Sequence, residues 1–296
     1  MSNTLQTAEP LARPIHSRPE FLGFGVGLRD HHTAQILVDD PPLDWLEIIS
    51  ENYMIPGGPQ LRLLDRLRER YPIVMHGVSL SIASTGEPDD GYLLALKALA
   101  DRLQPRWISD HLCWTGVHGR SLHDLFPIPY TQEALDHIAQ RVDRTQNILG
   151  RALILENVST YVRFHQSEMT EWEFIDELTR RTKCWLLLDI SNVHINAFNH
   201  GFDPRLFLEG LPADRVVQFH LAGHRDSGTH LVDTHDQPVS EDVWDLYAAA
   251  LRRFGPVSTM IERDDDASSL GEIVAEVERS RHVARGVLNE AAGLRP

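Results

Sequence analysis

The chain has 296 residues and a formal net charge of -15 at pH 7. That length suits one barrel of about 250 residues or two smaller domains, and the acidity speaks against a nucleic-acid partner, whose phosphates need a basic groove. No apolar stretch approaches the roughly 20 residues of a membrane span, the N-terminus lacks the apolar centre of a signal peptide, and Cys113 and Cys184 form no CxxC pair, so a cytoplasmic protein without a zinc ribbon is expected.

Residues 1–20, with Pro10, Pro14 and Pro19, read as a loose N-terminal arm, and residues 21–290 as a single domain. The run Gly23-Phe24-Gly25-Val26-Gly27 has G-x-G-x-G spacing, not the G-x-G-x-x-G of a dinucleotide fingerprint. It predicts a first strand whose glycines let neighbours approach closely. Further strands are predicted at Trp45–Ser50, Ile73–Ser79, Trp107–His111, Leu153–Val158, Trp185–Ile190, Val216–Ala222 and Ser258–Arg263, eight in all. Helical periodicity fills the intervals, at Leu61-Leu64-Leu67, Leu93-Leu96-Leu99-Leu103, Glu133–Leu149, Phe174-Leu178 and Val243–Phe254, with a closing helix over Ser268–Leu288. Nearly continuous apolar strands alternating with amphipathic helices specify a parallel sheet covered by helices. Eight such units favour an α/β fold of the closed TIM (β/α)8 type over an open doubly wound sheet. The long loops Cys113–Tyr130 and Gly223–Val239 then fall on the C-terminal face, where barrels bind their substrates.

Six of these strands end on a residue able to bind a metal: His76, His111, Glu156, Asp189, His220 and Glu262. A buried strand has no use for an unpaired charge at its tip, because desolvating it costs several kcal/mol. The loop after the seventh strand adds Asp233 and His235, whose alternate spacing puts both side chains on one side of an extended segment. Singly, each has a plainer reading as a satisfied core histidine or a helix N-cap. Together they point to a polynuclear metal centre.

The order His, His, Glu, Asp, His, Asp-x-His, Glu resembles the trinuclear site of endonuclease IV and the xylose-isomerase-like barrels. A fuller set of motifs comprises Glu51-Asn52-Tyr53-Met54, Met75-His76-Gly77-Val78-Ser79-Leu80, Ser109-Asp110-His111-Leu112, Leu125-Phe126-Pro127-Ile128-Pro129-Tyr130, Glu156-Asn157-Val158, Asp189-Ile190-Ser191-Asn192-Val193, Asn199-His200-Gly201-Phe202-Asp203, His220-Leu221-Ala222-Gly223-His224, Asp233-Thr234-His235-Asp236 and Ile261-Glu262-Arg263-Asp264. Over about residues 21 to 282 they resemble the multinuclear non-heme iron-dependent oxidative enzymes, formerly domain-of-unknown-function family 692. That family includes the iron enzyme of methanobactin biosynthesis and enzymes that modify Cys, Asp or Asn in ribosomally made peptides.

The resemblance implies that His76, His111 and Glu156 hold a first metal. Glu156 would bridge to a second, held also by Asp189, His220 and Glu262, while Asn192, Asp233 and His235 would form a looser third site. It also implies two or three iron ions in mixed Fe(II)/Fe(III) states, O2 as cosubstrate, a precursor peptide modified in first place on Cys, and a small partner protein that delivers the leader. Two imidazoles and one carboxylate with open positions suit Fe(II) and O2 chemistry. The same ligands bind zinc or manganese, so iron rests on the resemblance, and a divalent-metal hydrolase or isomerase of the endonuclease IV or xylose isomerase type is the alternative. Where the family reads Asp-x-Asn-Asn-x-Tyr, this chain has Ser191 and His194, which makes His194 a candidate extra ligand or proton donor. Tyr53, Asn157, Arg29 and Arg263 are expected at the same mouth, orienting substrate or supporting ligands. His118, His123 and His224, in or beside the long loops, are candidates for peptide contact.

Overall fold

The computed structural model describes residues 17–293, apart from 56, 118–119 and 265–266. Most of the predicted arm, and His118, therefore lie outside the described residues. In chain order the strands are β1 (Phe24–Gly27), β2 (Trp45–Ile49), β3 (Ile73–Gly77), β4 (Ile108–His111), β5 (Trp114–Val117), β6 (Arg120–Phe126), β7 (Leu153–Glu156), β8 (Trp185–Asp189), β9 (Val216–Ala222), β10 (His224–Asp226), β11 (Leu231–Asp233) and β12 (Ser258–Glu262). The helices are α1 (Asp30–Asp39), α2 (Pro59–Leu67), α3 (Asp90–Leu103), α4 (Gln132–Leu149), α5 (Glu171–Thr182), α6 (Ile190–His200), α7 (Pro204–Gly210), α8 (Glu241–Phe254) and α9 (Leu270–Ala291). Eight strands pair in parallel and close in the order β1-β12-β9-β8-β7-β4-β3-β2. This is the expected TIM barrel. Among the described residues no helix is long and apolar enough to cross a membrane.

The period-2 alternation of strand side chains sorts the core into two apolar clusters. Leu46, Ile48, Met75, Leu155, Leu188, Phe219 and Ile261 face outward and pack beneath the helices. The partners one pleat away face inward, where Trp45, Val74, Trp107, Ile154, Trp185, Leu187, Val217 and Met260 form a separate cluster. Trp45 and Trp185 open their strands and Trp107 immediately precedes β4, so three buried indoles floor the barrel at its N-terminal end. Gly25 makes room for this floor: a Cβ there would lie 2.6 Å from the Trp45 ring. The chain entering β1 is fastened to the same end, with Arg18 donating to the Asp214 and Val216 carbonyls and Glu20 paired with Arg106 at 2.7 Å.

Two features differ from expectation. Both long loops carry antiparallel hairpins, β5–β6 and β10–β11, which their Gly, His and Pro content did not announce. The segment Asp233-Thr234-His235 is not extended throughout, because His235 takes a left-handed conformation at φ 50°. Asp189 closes β8 and immediately caps α6 by accepting from the Asn192 N–H at 2.7 Å.

Candidate metal centre

Two residues above the apolar interior on the same strands stand His76, Glu156, Asp189 and Glu262, each one inward step beyond Val74, Ile154, Leu187 and Met260. His111 and His220 occupy the same register on β4 and β9, in line with Glu156 and Asp189 on the neighbouring strands. The pleat thus delivers six ionisable side chains to one ring. Three overlapping groups have ligand atoms within 4.8 Å of one another: His76, His111 and Glu156; Glu156, Asp189 and His220; Asp189, His235 and Glu262.

Glu156 is the hub. Its Oε2 lies 3.3 Å from His76 Nε2 and 3.4 Å from His111 Nε2, and its Oε1 lies 3.5 Å from His220 Nδ1. The far nitrogens of the first two rings are anchored. His111 Nδ1 donates to the Gly77 carbonyl at 3.1 Å, and His76 Nδ1 meets Ser109 Oγ at 2.8 Å. Since Ser109 Oγ donates onward to the Met75 carbonyl, it accepts from His76. Both rings therefore carry their proton on Nδ1 and offer the Nε2 lone pair to the centre. On the other side His220 Nδ1 approaches Glu262 Oε2 at 3.2 Å, and His235 bridges Asp233 Oδ1 at 2.7 Å and Glu262 Oε2 at 3.6 Å.

These contacts meet ion-pair distances without hydrogen-bond alignment. Glu156 Oε2, Asp189 Oδ2, Asn192 Oδ1, His220 Nδ1, Asp233 Oδ1 and His235 Nε2 are all buried and all lack a hydrogen-bond partner. Leaving such atoms unsatisfied costs about 1–3 kcal/mol each, and here they belong to residues expected to bind metal. A cation accepting several lone pairs at once satisfies them together, so the donor set fits a metal cluster. Asp189 reconciles the two readings of its position, because Oδ1 caps α6 while Oδ2 faces the ring.

Without a cation the ring balances itself with protons. Burial drives Glu156 upward, but His111, His220 and His76 outweigh it and hold the carboxyl down at about 2. Glu262 is likewise held well below the usual range against burial, by His235 and His220. Asp189 goes the other way: burial, with repulsion from Glu156 and Asp233, lifts it well above the carboxylate range. Burial lowers His76, whereas His220 and His235 are raised well above an ordinary imidazole, because carboxylates on both sides outweigh their desolvation.

The other candidates separate. Asn157 uses its whole amide on the backbone of β8, accepting from Asp189 N at 2.9 Å and donating to Asp189 O at 3.0 Å, and its carbonyl accepts from Asn192 Nδ2. It is a spacer between two ligand-bearing strand tips. Tyr53 is buried in the short turn after β2, where desolvation pushes its hydroxyl up to about 12. Arg263 follows inward-facing Glu262 and so points out, to Glu276 of α9 at 3.1 Å. Arg29 reaches the centre instead, 3.2 Å from Glu262 Oε1 and bonded to Asp264. His194 lies on α6 with its ring 5.0 Å from that of His224 and belongs to none of the three groups. His123 is exposed on β6. Sequence reasoning missed Ser109, Ser159, which donates to Asp233 Oδ2 at 3.2 Å, and Glu47, which lies 3.0 Å from His220 Nε2. Glu47 alone left a signal, as an acid inside the apolar run Trp45-Leu46-Glu47-Ile48-Ile49.

Comparison with known proteins places this geometry. The family model described as RiPP precursor modification enzyme MbnB/TglH/ChrH matches residues 23–285. A UPF0276 protein of Anaeromyxobacter sp. is 53% identical over 267 residues, covering 90% of this chain and 94% of its own. One of Caulobacter vibrioides is 51% identical over 262 residues, covering 88% and 94%. Among solved structures, an L-ribulose 3-epimerase superposes with a TM-score of 0.61 at 14% identity, covering 92% of this chain and 98% of its own. Endonuclease IV of Thermus thermophilus gives 0.58 at 17%, covering 90% and 99%. At such identities the likeness shows the fold alone.

Proposed function

Because the chain belongs to the family of enzymes that modify precursors of RiPPs (ribosomally synthesised, post-translationally modified peptides), MbnB/TglH/ChrH, we propose that it uses iron and O2 to oxidise one residue, in first place a cysteine, of such a precursor. One observation carries the reading: three ligand groups run together through Glu156 and Asp189, and the buried atoms facing inward have no other partner. His76, His111 and Glu156 would hold one ion. Glu156, Asp189, His220 and Glu262 would hold a second, and Asn192, Asp233 and His235 a third that shares the neighbourhood of Asp189 and Glu262. Bound iron supplies one-electron chemistry toward O2 and strips the proton from a coordinated thiol.

The remaining work falls to the chain itself. Ser109 and the Gly77 carbonyl keep two imidazoles turned with Nε2 inward. Asn157 fixes the spacing of the strand tips that bear Glu156 and Asp189. Arg29 holds Glu262 and Asp264 at the rim, and burial keeps bulk water from His76, Glu156 and Asp189. The precursor, presented by a small partner protein that binds its leader, would enter from the face carrying the β5–β6 and β10–β11 hairpins. The hydrolase or isomerase alternative draws on the shared fold and on the same ligand types, and lacks the support of the family match. Anaerobically iron-loaded protein, mixed with the precursor peptide encoded beside it and then exposed to O2, is expected to change the peptide's mass. An unchanged mass, or zinc-dependent phosphoesterase activity that ignores O2, would remove the proposal.

A further inference from the structure

Beneath the ring, β2 carries Glu47 into the barrel between the tryptophan floor and the ligands, 3% exposed. Its Oε1 lies 3.0 Å from His220 Nε2, and its Oε2 accepts from Gln218 Nε2 at 2.5 Å. Gln218 Oε1 in turn accepts from the Trp107 indole N–H at 2.6 Å. Hydrogen bonds thus run from the floor to Glu47, whose Oε1 makes an ion-pair contact with one ligand. The other face of that ring, Nδ1, is the one directed at Glu156 and Glu262.

We infer that Glu47 is a positioning residue: it fixes His220 in the tautomer with the proton on Nε2, leaving the Nδ1 lone pair for the metal. An ionised carboxylate only accepts, so the Glu47 oxygen 3.0 Å away favours a proton on His220 Nε2. Gln218 Nε2 also lies 2.8 Å from His220 Nε2. Alone, that amide would donate to the ring and force the opposite tautomer, with Nδ1 protonated against the centre. Glu47 decides the contest, because it takes the Gln218 N–H on one oxygen and the imidazole N–H on the other. A carboxylate behind a ligating imidazole orients the ring and raises its basicity, and removing such a support costs about 10- to 100-fold in metal affinity. His76 and His111 have a serine and a backbone carbonyl behind them. Behind His111 the Asp110 carboxyl stands off at 4.0 Å, whereas Glu47 lies 3.0 Å from His220 Nε2.

The inference rests on His220 being a metal ligand, so the test separates the two. The probe is Zn(II) alone, added to the full chain, with stoichiometry and affinity measured by competition against a chromophoric chelator. Nitrogen-15 NMR of the histidine rings is read on the loaded protein. In the wild type, His220 is expected to show a protonated Nε2 and a metal-bound Nδ1; the reverse assignment overturns the inference without recourse to any variant. Glu47→Gln is expected to weaken the equivalent that depends on His220 by about 10- to 100-fold, to leave the His76/His111 equivalent within about threefold, and to move the His220 ring signals alone. If His220→Ala costs an equivalent of zinc while Glu47→Gln binds like the wild type with unmoved ring signals, the role of Glu47 is refuted and the metal centre stands. Should His220→Ala cost nothing, the ligand assignment falls and the inference with it.

Discussion

Two residues apart on the same strands, the barrel interior changes from hydrocarbon to ionisable groups: Val74 to His76, Ile154 to Glu156, Leu187 to Asp189, Met260 to Glu262. Backbone geometry and outward packing are shared, so the difference lies entirely in the inward side chains. In the lower layer Gln218 and the indole nitrogens of Trp45 and Trp107 have partners, and the exception is the Trp185 indole nitrogen. In the upper layer Glu156 Oε2, Asp189 Oδ2 and His220 Nδ1 all lack a partner. Fold stability and ligand chemistry are therefore separated by one pleat, about 7 Å of strand.

The sharpest way to break that partition is a pair of truncations on β7. Glu156→Ala is expected to abolish two of the three ligand groups at once, seen as loss of at least one equivalent of bound metal by elemental analysis. Ile154→Ala should lower unfolding free energy by about 2–5 kcal/mol with the metal content of the folded protein intact. Metal loss in the second variant would mean the two layers are not separable. Next in size is the response to pH. His220 and His235 hold protons above the ordinary imidazole range, and a metal must displace them. Affinity is then expected to rise from pH 6 to pH 8, about tenfold per unit for each proton released; a flat titration would contradict the proton-balanced ring. Asp189→Asn sharpens the comparison further. It keeps the cap on α6 while relieving repulsion from Glu156 and Asp233, so the metal-free protein should gain about 1 kcal/mol in chemical denaturation as metal affinity falls. The smallest effect is expected at His194→Ala, with metal stoichiometry unchanged, because its ring meets His224 and not the ligand groups.

Much of this architecture is legible in the sequence because strands buried on both faces read as apolar runs, and a charge at the end of such a run stands out. His76, Glu156, Asp189 and Glu262 all betray themselves in that way. Glu47 does not, because an acid in mid-run looks like a lapse in the pattern, and only the closed sheet brings His220 alongside it. Arg29 and Arg263 are both expected at the mouth; Arg29 stands beside the Glu262 carboxylate, whereas strand alternation sends Arg263 to the opposite face, toward Glu276. Nor does Asp-x-His spacing disclose the left-handed turn at His235 that swings its ring back to Asp233.

The indole floor has a consequence for traffic. Trp45, Trp107 and Trp185 pack across one end of the barrel, beneath the ligand ring. On the proposed function, gas, metal, peptide and product would all come and go at the opposite end, and a peptide stretched across it would act as a cork. Small reactants would then have to be in place before the peptide seats, so the packed end would set an order of arrival.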